Sequence, residues 1–442
     1  MLILTTKLHM PAFQAELVSR PRLLERLDEG MNRKLTLVSA PAGYGKTTLV
    51  SEWAAGCKRP VAWLTLDEED KDPVRFLTYF ITALQSIKVN IAAGVLGALQ
   101  YSQLSPNEEM LTALLNDIIN IQDNFSLVLD DYHVANSRAV DHIVGFILEH
   151  QPPQMHLIIT TREDQYITLN QLRVQNQVTE LRTAELRFTS SEAVKFFNVV
   201  MGFSLSAEDI TALENRTEGW IAGLQLAAIS MKGHHDTSSF ITSFSGSHSF
   251  VLDYLAEEVF EQQPKNIQTF LLYTSILDRM CGPLCDAVLQ NSSAWGQEIL
   301  EQLERANMFI VSLDEERCWY RYHHLFADFL RYRLNRSTTS SSIDEKVSMS
   351  ELHKRAREWN EKNDVEKNPD KVSIDQIYIE PLSQRELEVL QLVAQGLSNS
   401  DISERLAIAL DTVKGHNRSC FSKLQVQRRT EAVAQARARG LI

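Results

Sequence analysis

Cysteine is scarce in this chain. Cys57, Cys281, Cys285, Cys318 and Cys420 are scattered over 442 residues. Their odd number and irregular spacing indicate neither a disulfide framework nor a zinc site, and Cys281 and Cys285 read as core residues. Long apolar runs are missing as well. No stretch approaches the ~18 residues of a membrane span, and no N-terminal segment joins a basic start, an apolar core and a cleavage site. A soluble, cytoplasmic protein with no membrane partner is expected. No repeat period is visible, so a solenoid is not expected. Positive charge is in deficit, with 44 Lys and Arg against 57 Asp and Glu for a net charge of −13. That balance suits a polyanion partner only where bases are locally concentrated. The length suggests about three domains.

The first concentration of chemistry lies near the N-terminus. Leu35 to Ser39 is a short β-rich run followed by Ala40-Pro41-Ala42-Gly43-Tyr44-Gly45-Lys46-Thr47-Thr48 and a helical stretch through Ala55. Strand, glycine loop and helix form the context of a phosphate-binding loop. Gly43 and Gly45 let backbone N–H groups turn inward around phosphates, Lys46 neutralises β- and γ-phosphate charge, and the Thr47 hydroxyl can ligate Mg²⁺. Thr48 completes the motif, whose usual first glycine is Ala40 here.

Phe125 to Asp130 is an apolar strand ending in the pair Asp130-Asp131, placed where a P-loop fold puts its Mg²⁺-side carboxylate. Asp130 would hold the metal through water. Asp131 either orients or activates an attacking water or serves as a capping or ion-pairing carboxylate. A further strand, Leu157 to Thr160, leads to Thr161-Arg162, where the arginine either senses a γ-phosphate or is a structural strand-end residue. With Val61 to Leu66 these strands alternate with helical segments, which predicts a parallel α/β sheet that binds ATP or ADP with Mg²⁺.

The second concentration is at the other end. Ser383 and Glu386 form a capping box opening an amphipathic helix with Leu387, Val389, Leu390, Leu392 and Val393, stopped by Gly396. Ser398 and Ser400 start a second short helix, with Ile402 and Leu406 on its buried side. A third runs from about Asp411 to Leu424. On it Val413, Asn417, Cys420 and Leu424 share one stripe, and Lys414, Gly415, Arg418 and Ser422 share the opposite one. From Thr412 onward seven bases, including Lys423, Arg428 and Arg429, face only Glu431, a net of +6. This predicts a helix-turn-helix for double-stranded DNA, with Thr412, Lys414, Gly415, Asn417, Arg418, Ser422 and Lys423 toward the groove and Arg428 and Arg429 as phosphate anchors. A small helical subdomain with a solvated basic face is the alternative. Asn417 on the inner stripe must find a hydrogen bond or swing toward DNA.

Pro381-Leu382-Ser383-Gln384-Arg385-Glu386-Leu387-Glu388-Val389-Leu390, Thr412-Val413-Lys414-x-His416, Lys423-Leu424 and Arg429-Thr430-Glu431-Ala432 resemble the LuxR-type DNA-binding domain along its full length. It departs at Ala409, where a capping Ser or Thr is usual, and at Asn417, where an apolar residue is. Gly219 to Ala228 resembles the glycine-leucine-proline-leucine-alanine element of signal-transducing nucleotide switches, with Gln225 in place of the proline. The order Ser190 to Val200, Phe270 to Leu277, Leu300 to Leu313 and Trp319 to Phe326 looks like a helical region with a winged-helix module. In such switches a winged-helix histidine contacts the β-phosphate of ADP, a position that His323 or His324 matches by resemblance. Either histidine can equally belong to a packed helix start.

The chain thus resembles the large ATP-dependent LuxR-family regulators. The fold class this implies is multidomain α/β plus all-α: a P-loop NTPase with a parallel sheet over 1–187, a helical and winged-helix domain over 188–335, a polar linker with one helix over 336–380, and a LuxR-type helix-turn-helix over 381–442. Those regulators carry a long helical-repeat sensor where this chain has only Asn335 to Pro381. Ser337 to Ser342 reads as a flexible linker, Leu352, Ala356 and Trp359 mark one helix, and Asn360 to Asp375 reads as disordered. One helix offers no concave repeat surface, so no inducer response through the usual sensor is expected. The implied function is a transcription regulator, in the activator class by kinship, in which ATP/ADP exchange controls self-association. RNA polymerase is an implied partner, and hydrolysis is at most slow. Two other readings fit: an ATP-hydrolysing enzyme with a DNA tether, and a truncated competitor of a full-length regulator.

Overall fold

The computed structural model describes residues 3–11, 17–101, 106–163, 169–231, 237, 240–241, 244–290, 295–339, 349–363, 384–394 and 397–406, with 412–414, 416–417, 420, 429, 432 and 436. They form two compact units, Met1–Ala356 and Arg357–Ile442.

The first unit opens with a five-stranded sheet: β1 (Leu35–Ser39), β2 (Val61–Thr65), β3 (Phe125–Asp130), β4 (Met155–Thr161) and β5 (Val178–Leu181). All pairings are parallel and the order is β2-β3-β4-β1-β5. Strands covered on both faces must be apolar throughout, and β1, β3 and β4 are buried at every residue. The flanking helices are α1 (Pro21–Gly30), α2 (Lys46–Gly56), α3 (Pro73–Leu84), α4 (Ala93–Tyr101), α5 (Glu108–Ile119) and α6 (Arg138–Glu149). Their starts are chemically marked. Asp72 accepts from Arg75 N at 2.8 Å to open α3, and Asn107 accepts from Met110 N at 3.0 Å to open α5. Phe76, Phe80, Leu114 and Ile143 of these helices join Leu64, Leu127 and Leu157 of the sheet in one core. The strand order inserts β4 between β1 and β3, so the phosphate-loop strand and the strand ending in Asp130 are one strand apart.

Helices follow the sheet. Thr189 and Glu192 make a reciprocal capping box at Ser190–Val194, which widens into a π-helical turn over Lys195–Val200. Ala207–Thr217, Ile221–Met231, Lys265–Thr274, Gly282–Leu289 and Gly296–Arg305 are helical, then β6 (Ile310–Ser312) and β7 (Tyr320–Tyr322) pair antiparallel before the helix His324–Thr339. The Leu300 to Leu313 stretch is therefore a helix end followed by a wing strand, and Trp319 to Phe326 a strand followed by a helix start.

Ser337 to Thr339, expected as linker, form the last turn of the helix His324–Thr339. That helix is nucleated by buried Phe326, Phe329, Leu330 and Leu334, and propagation costs little once packing has fixed the first turns. Asn360 to Lys362 extend the helix Met349–Lys362 rather than beginning a disordered stretch. Ser340 to Ser342 and Asp364 to Asp375 lie outside the described residues. Leu352 and Ala356 are fully buried, and Arg355 Nη1 donates to the Val288 carbonyl at 3.0 Å. The N-terminal half of this helix is thus packed onto the winged-helix region.

In the second unit, Gln384–Ala394 and Asn399–Leu406 are helices. Val389, Leu392, Val393, Ile402 and Val413 form its core. Ser398 Oγ accepts from Asp401 N at 3.3 Å while Asp401 Oδ2 accepts from Ser398 N at 2.9 Å, so the second helix starts at Ser398 as its sequence predicts. Ser383 and Gly396 are outside the described residues, and Glu386 lies in the first turn of the first helix. Among the described residues no helix is long and apolar enough to cross a membrane.

Candidate functional site

The loop between β1 and α2 turns on two glycines. Gly43 has φ +79° and Gly45 φ +69°, conformations that strain any other L-residue, and a Cβ on Gly43 would lie 2.5 Å from the Ala222 Cβ. Lys46 is buried, and its ammonium donates to the carbonyls of Ala40 at 2.8 Å and Pro41 at 3.0 Å. Burial, with Arg162 nearby, pulls its pKa down to about 8. Ala40, in place of the usual glycine, still gives its carbonyl to the lysine.

Thr47 Oγ1 donates to Asp130 Oδ1 at 2.9 Å, and from the intervening β4 Thr160 Oγ1 donates to the same oxygen at 2.6 Å. Burial first, then the Asp131 charge, raises the Asp130 carboxyl to about 6. Asp131 is left-handed (φ +57°), and its N–H donates to Thr160 Oγ1 at 3.0 Å. Gly43, Gly45, Lys46, Thr47, Asp130 and Asp131 thus gather at the C-terminal edge of the sheet. Thr48 is exposed. Arg162 faces the same region electrostatically, since it lowers the Lys46 pKa, but its guanidinium pairs with Glu258 at 3.1 Å.

Several residues that the sequence did not single out complete the site. Trp220 is fully buried and donates from Nε1 to the Ala42 carbonyl at 2.9 Å, and Ala222 N donates to the Gly43 carbonyl at 3.0 Å. Arg20 spans Gly45 O at 3.4 Å and Leu186 O at 3.1 Å. Asn307 Nδ2 reaches Ser39 Oγ at 3.1 Å and Arg162 O at 2.8 Å. Trp220 lies inside the Gly219 to Ala228 motif, so its importance was readable there; Arg20 and Asn307 carry no local mark.

The two histidines separate. His323 is buried, its Nε2 is 2.9 Å from Thr217 O, its ring packs on Trp220 and Phe309, and its Nδ1 has no partner. Burial holds its pKa down at about 4, so the imidazole is neutral. His324 is 63% exposed and pairs with Glu218 at 3.3 Å. It lines a polar cavity of about 350 Å³ with Arg187, Glu214, Glu218 and Arg321 and does not meet the loop through Trp220. Glu218 takes both Arg321 nitrogens, at 2.7 and 2.9 Å, which outweigh its burial and hold its carboxyl at about 2. It sits two residues before Trp220, so the wing and the phosphate loop are joined through one short segment.

The residues fit a bound nucleoside polyphosphate. Two positive-φ glycines shape the cradle, a buried ammonium stands with only carbonyl partners, a hydroxyl–carboxylate pair is set for Mg²⁺, and a buried imidazole nitrogen is left unbonded.

In the second unit Thr412 and Lys414 are exposed, as a groove-facing surface requires. Asn417 is not on that surface. It is buried, and its Nδ2 donates to Asn399 Oδ1 at 3.0 Å, so the hydrogen bond demanded by its inner position is found inside the domain. Arg429 is half-buried, and its guanidinium bonds Asn399 Oδ1 at 3.0 Å and the Leu397 carbonyl, which takes up two of its five N–H donors. Gly415, Arg418, Ser422, Lys423 and Arg428 lie outside the described residues.

Comparison with known proteins agrees with this construction. Residues 256–342 match the MalT winged helix domain, and 380–436 match the bacterial regulatory proteins of the luxR family. The chain is 33% identical over 359 residues to the HTH-type transcriptional regulator MalT of Klebsiella pneumoniae, covering 81% of this chain and 39% of that protein. It is 34% identical over 336 residues to MalT of Serratia proteamaculans, covering 75% and 37%. It is also 31% identical over 346 residues to the serine/threonine-protein kinase PknK of Mycobacterium tuberculosis, covering 78% and 30%. The Walker-type ATPase PABY2304 of Pyrococcus abyssi shares the fold, with a TM-score of 0.50 at 15% identity over 72% of this chain and 97% of that one. The chain spans about two fifths or less of the length of these curated relatives. With a MalT-type winged helix, a luxR-family C-terminal domain and a P-loop NTPase fold in one polypeptide, it belongs to the MalT-like, LuxR-type ATPase regulators.

Proposed function

We propose that this protein is a transcription regulator whose assembly on DNA is set by whether ATP or ADP occupies the phosphate loop. In this reading the chain divides at 1–187, 188–335, 336–380 and 381–442. Gly43, Gly45, Lys46 and Thr47 hold the phosphates, Thr47 and Asp130 hold Mg²⁺, His323 meets the nucleotide from the winged helix, and Lys414 reads DNA. The observation that carries it is the bond from Trp220 to the Ala42 carbonyl, in a segment whose Glu218 is clamped by Arg321 of the wing. A ligand shifts a conformational equilibrium only through different contacts in the two states. A loop held by one domain and capped by another supplies that difference, because a γ-phosphate must be accommodated beside Trp220 and Arg162. Assembled subunits would present several DNA-binding domains together, raising apparent affinity through effective concentration, and RNA polymerase contact would follow at the promoter.

Sedimentation of the full chain with Mg-ATP and with Mg-ADP, paired with footprinting on its own upstream region, tests this. Larger assemblies and tighter footprints with ATP are expected. Identical sedimentation and footprints in both nucleotides would refute the switch, and rapid multiple turnover without DNA or assembly would favour an enzyme that uses its C-terminal domain as a tether.

A further inference from the structure

Arg162 directly follows β4 and faces the phosphate loop closely enough to lower the Lys46 pKa. Its guanidinium is nevertheless taken by another part of the chain. The helix Ser249–Leu255 runs into a π-helical segment, Ala256–Phe260. There Arg162 Nη2 donates to Glu258 Oε2 at 3.1 Å, and Nη1 donates to the Glu258 carbonyl at 3.2 Å. Asn307 holds the same arginine by its backbone, its Nδ2 donating to the Arg162 carbonyl at 2.8 Å. Glu258 and Asn307 both belong to the stretch that matches the MalT winged helix domain, so that stretch grips Arg162 at both ends. Tyr254, one turn before Glu258, reaches the loop itself. A Cβ on Gly43 would lie 3.1 Å from its hydroxyl, and its ring meets Trp220 edge-on with centroids 5.5 Å apart.

The pair between Arg162 and Glu258 is suited to exchange rather than to holding the fold. Their side chains are 33% and 47% exposed, and an ion pair so open to water adds little to stability. The π-helical segment points the same way, since such segments are rare and recur at functional sites. A terminal phosphate offers the guanidinium more oxygens and more negative charge than a carboxylate does, so it is the stronger claimant. Two anions cannot share one arginine without facing each other, and like charges brought together disfavour binding. ADP ends one phosphate short and raises no such contest.

Resting on the nucleotide reading above, we propose that Glu258 sets the ratio of ATP to ADP affinity by competing with the γ-phosphate for Arg162. ATP settles fully only when the carboxylate lets the arginine go. Because Glu258 and Tyr254 ride on one continuous helical segment, releasing the arginine also loosens that segment from Gly43 and Trp220. Glu258 touches neither the β-phosphate cradle nor the Mg²⁺ pair of Thr47 and Asp130, so its effect falls on the third phosphate alone.

The test is calorimetry on the full chain with Mg-ADP and with the Mg complex of the non-hydrolysable imido analogue of ATP. Glu258→Gln should bind the imido analogue about tenfold more tightly than the parent, with ADP affinity within about twofold of it. Glu258→Asp, which keeps the charge on a shorter stem, should show part of that gain, and it carries the test should Glu258→Gln melt early. In an Arg162→Ala background, adding Glu258→Gln should change neither affinity, because the competition has lost its object. Equal tightening of both nucleotides, or no tightening of either, would overturn the proposal. So would a gain that persists without Arg162, since the carboxylate would then act on the phosphate directly. A parent that binds neither nucleotide would remove the phosphate-loop reading itself and this inference with it.

Discussion

Lys46→Met separates the lysine's work on nucleotide from its effect on the fold. The ammonium is buried and its pKa falls from 10.5 to about 8, which is about 3 kcal/mol of differential cost for the charged form. Methionine removes that cost but also strips the Ala40 and Pro41 carbonyls of their donor, at about 1–1.5 kcal/mol each. The two effects nearly cancel, so the ligand-free variant should unfold within about 1 kcal/mol of the parent at pH 7.5. The pH dependence then gives the sign. Between about 8 and 10.5 the folded lysine has lost its proton and the unfolded one has kept it, so the unfolded state binds more protons and stability rises with pH. From pH 7.5 to 9.5 the parent should gain about 2 kcal/mol that the methionine variant does not. Urea unfolding at the two pH values, followed by tryptophan fluorescence, measures both quantities, and calorimetry with ATP measures the ligand. ATP affinity should be abolished. A variant that binds ATP like the parent, or shows the same gain with pH, would refute the buried, phosphate-directed lysine.

Arg321→Ala should expose the Glu218 clamp. Glu218 is held at about 2, below its ordinary 4.5, so its contribution of about 3 kcal/mol is present above pH 4.5 and is lost as pH falls toward 2; thermal melts across that window should flatten in the variant. Asp70 is fully buried against Lys7 and the Arg75 Nε at 3.0 Å. Asp70→Ala should destabilise the first unit by about 3–5 kcal/mol in denaturant titration while the surviving folded fraction binds nucleotide normally. Lys414→Ala should cost about 1–3 kcal/mol of DNA affinity in gel shifts without altering stability. Arg429→Ala should instead speed hydrogen exchange in the helix Asn399–Leu406, and a selective loss of DNA affinity with unchanged exchange would contradict its inward role.

Local chemistry in the chain determined the elements that depend on neighbours in sequence. A strand, two glycines and a lysine-threonine pair specify a phosphate loop because backbone N–H groups and an ammonium must converge within one turn. Ser398 and Asp401 fix a helix start because their bonds span three residues. The apolar runs of β1, β3 and β4 mark strands covered on both faces. Tertiary structure decided whatever depends on distant partners. Only the order β2-β3-β4-β1-β5 brings Thr160 to Asp130, and only the folded helices bring Trp220 to Ala42 and Asn307 to Ser39. His323 and His324 are adjacent in sequence, yet one is buried on Trp220 and the other faces solvent, since a strand end and a helix start point neighbouring side chains apart. Asn417, on the inner stripe of the third helix, and Arg429, beyond its end, both read from the sequence as DNA contacts. Asn399, from another helix, receives both of them, and a polar group inside a small core takes whichever partner the fold supplies.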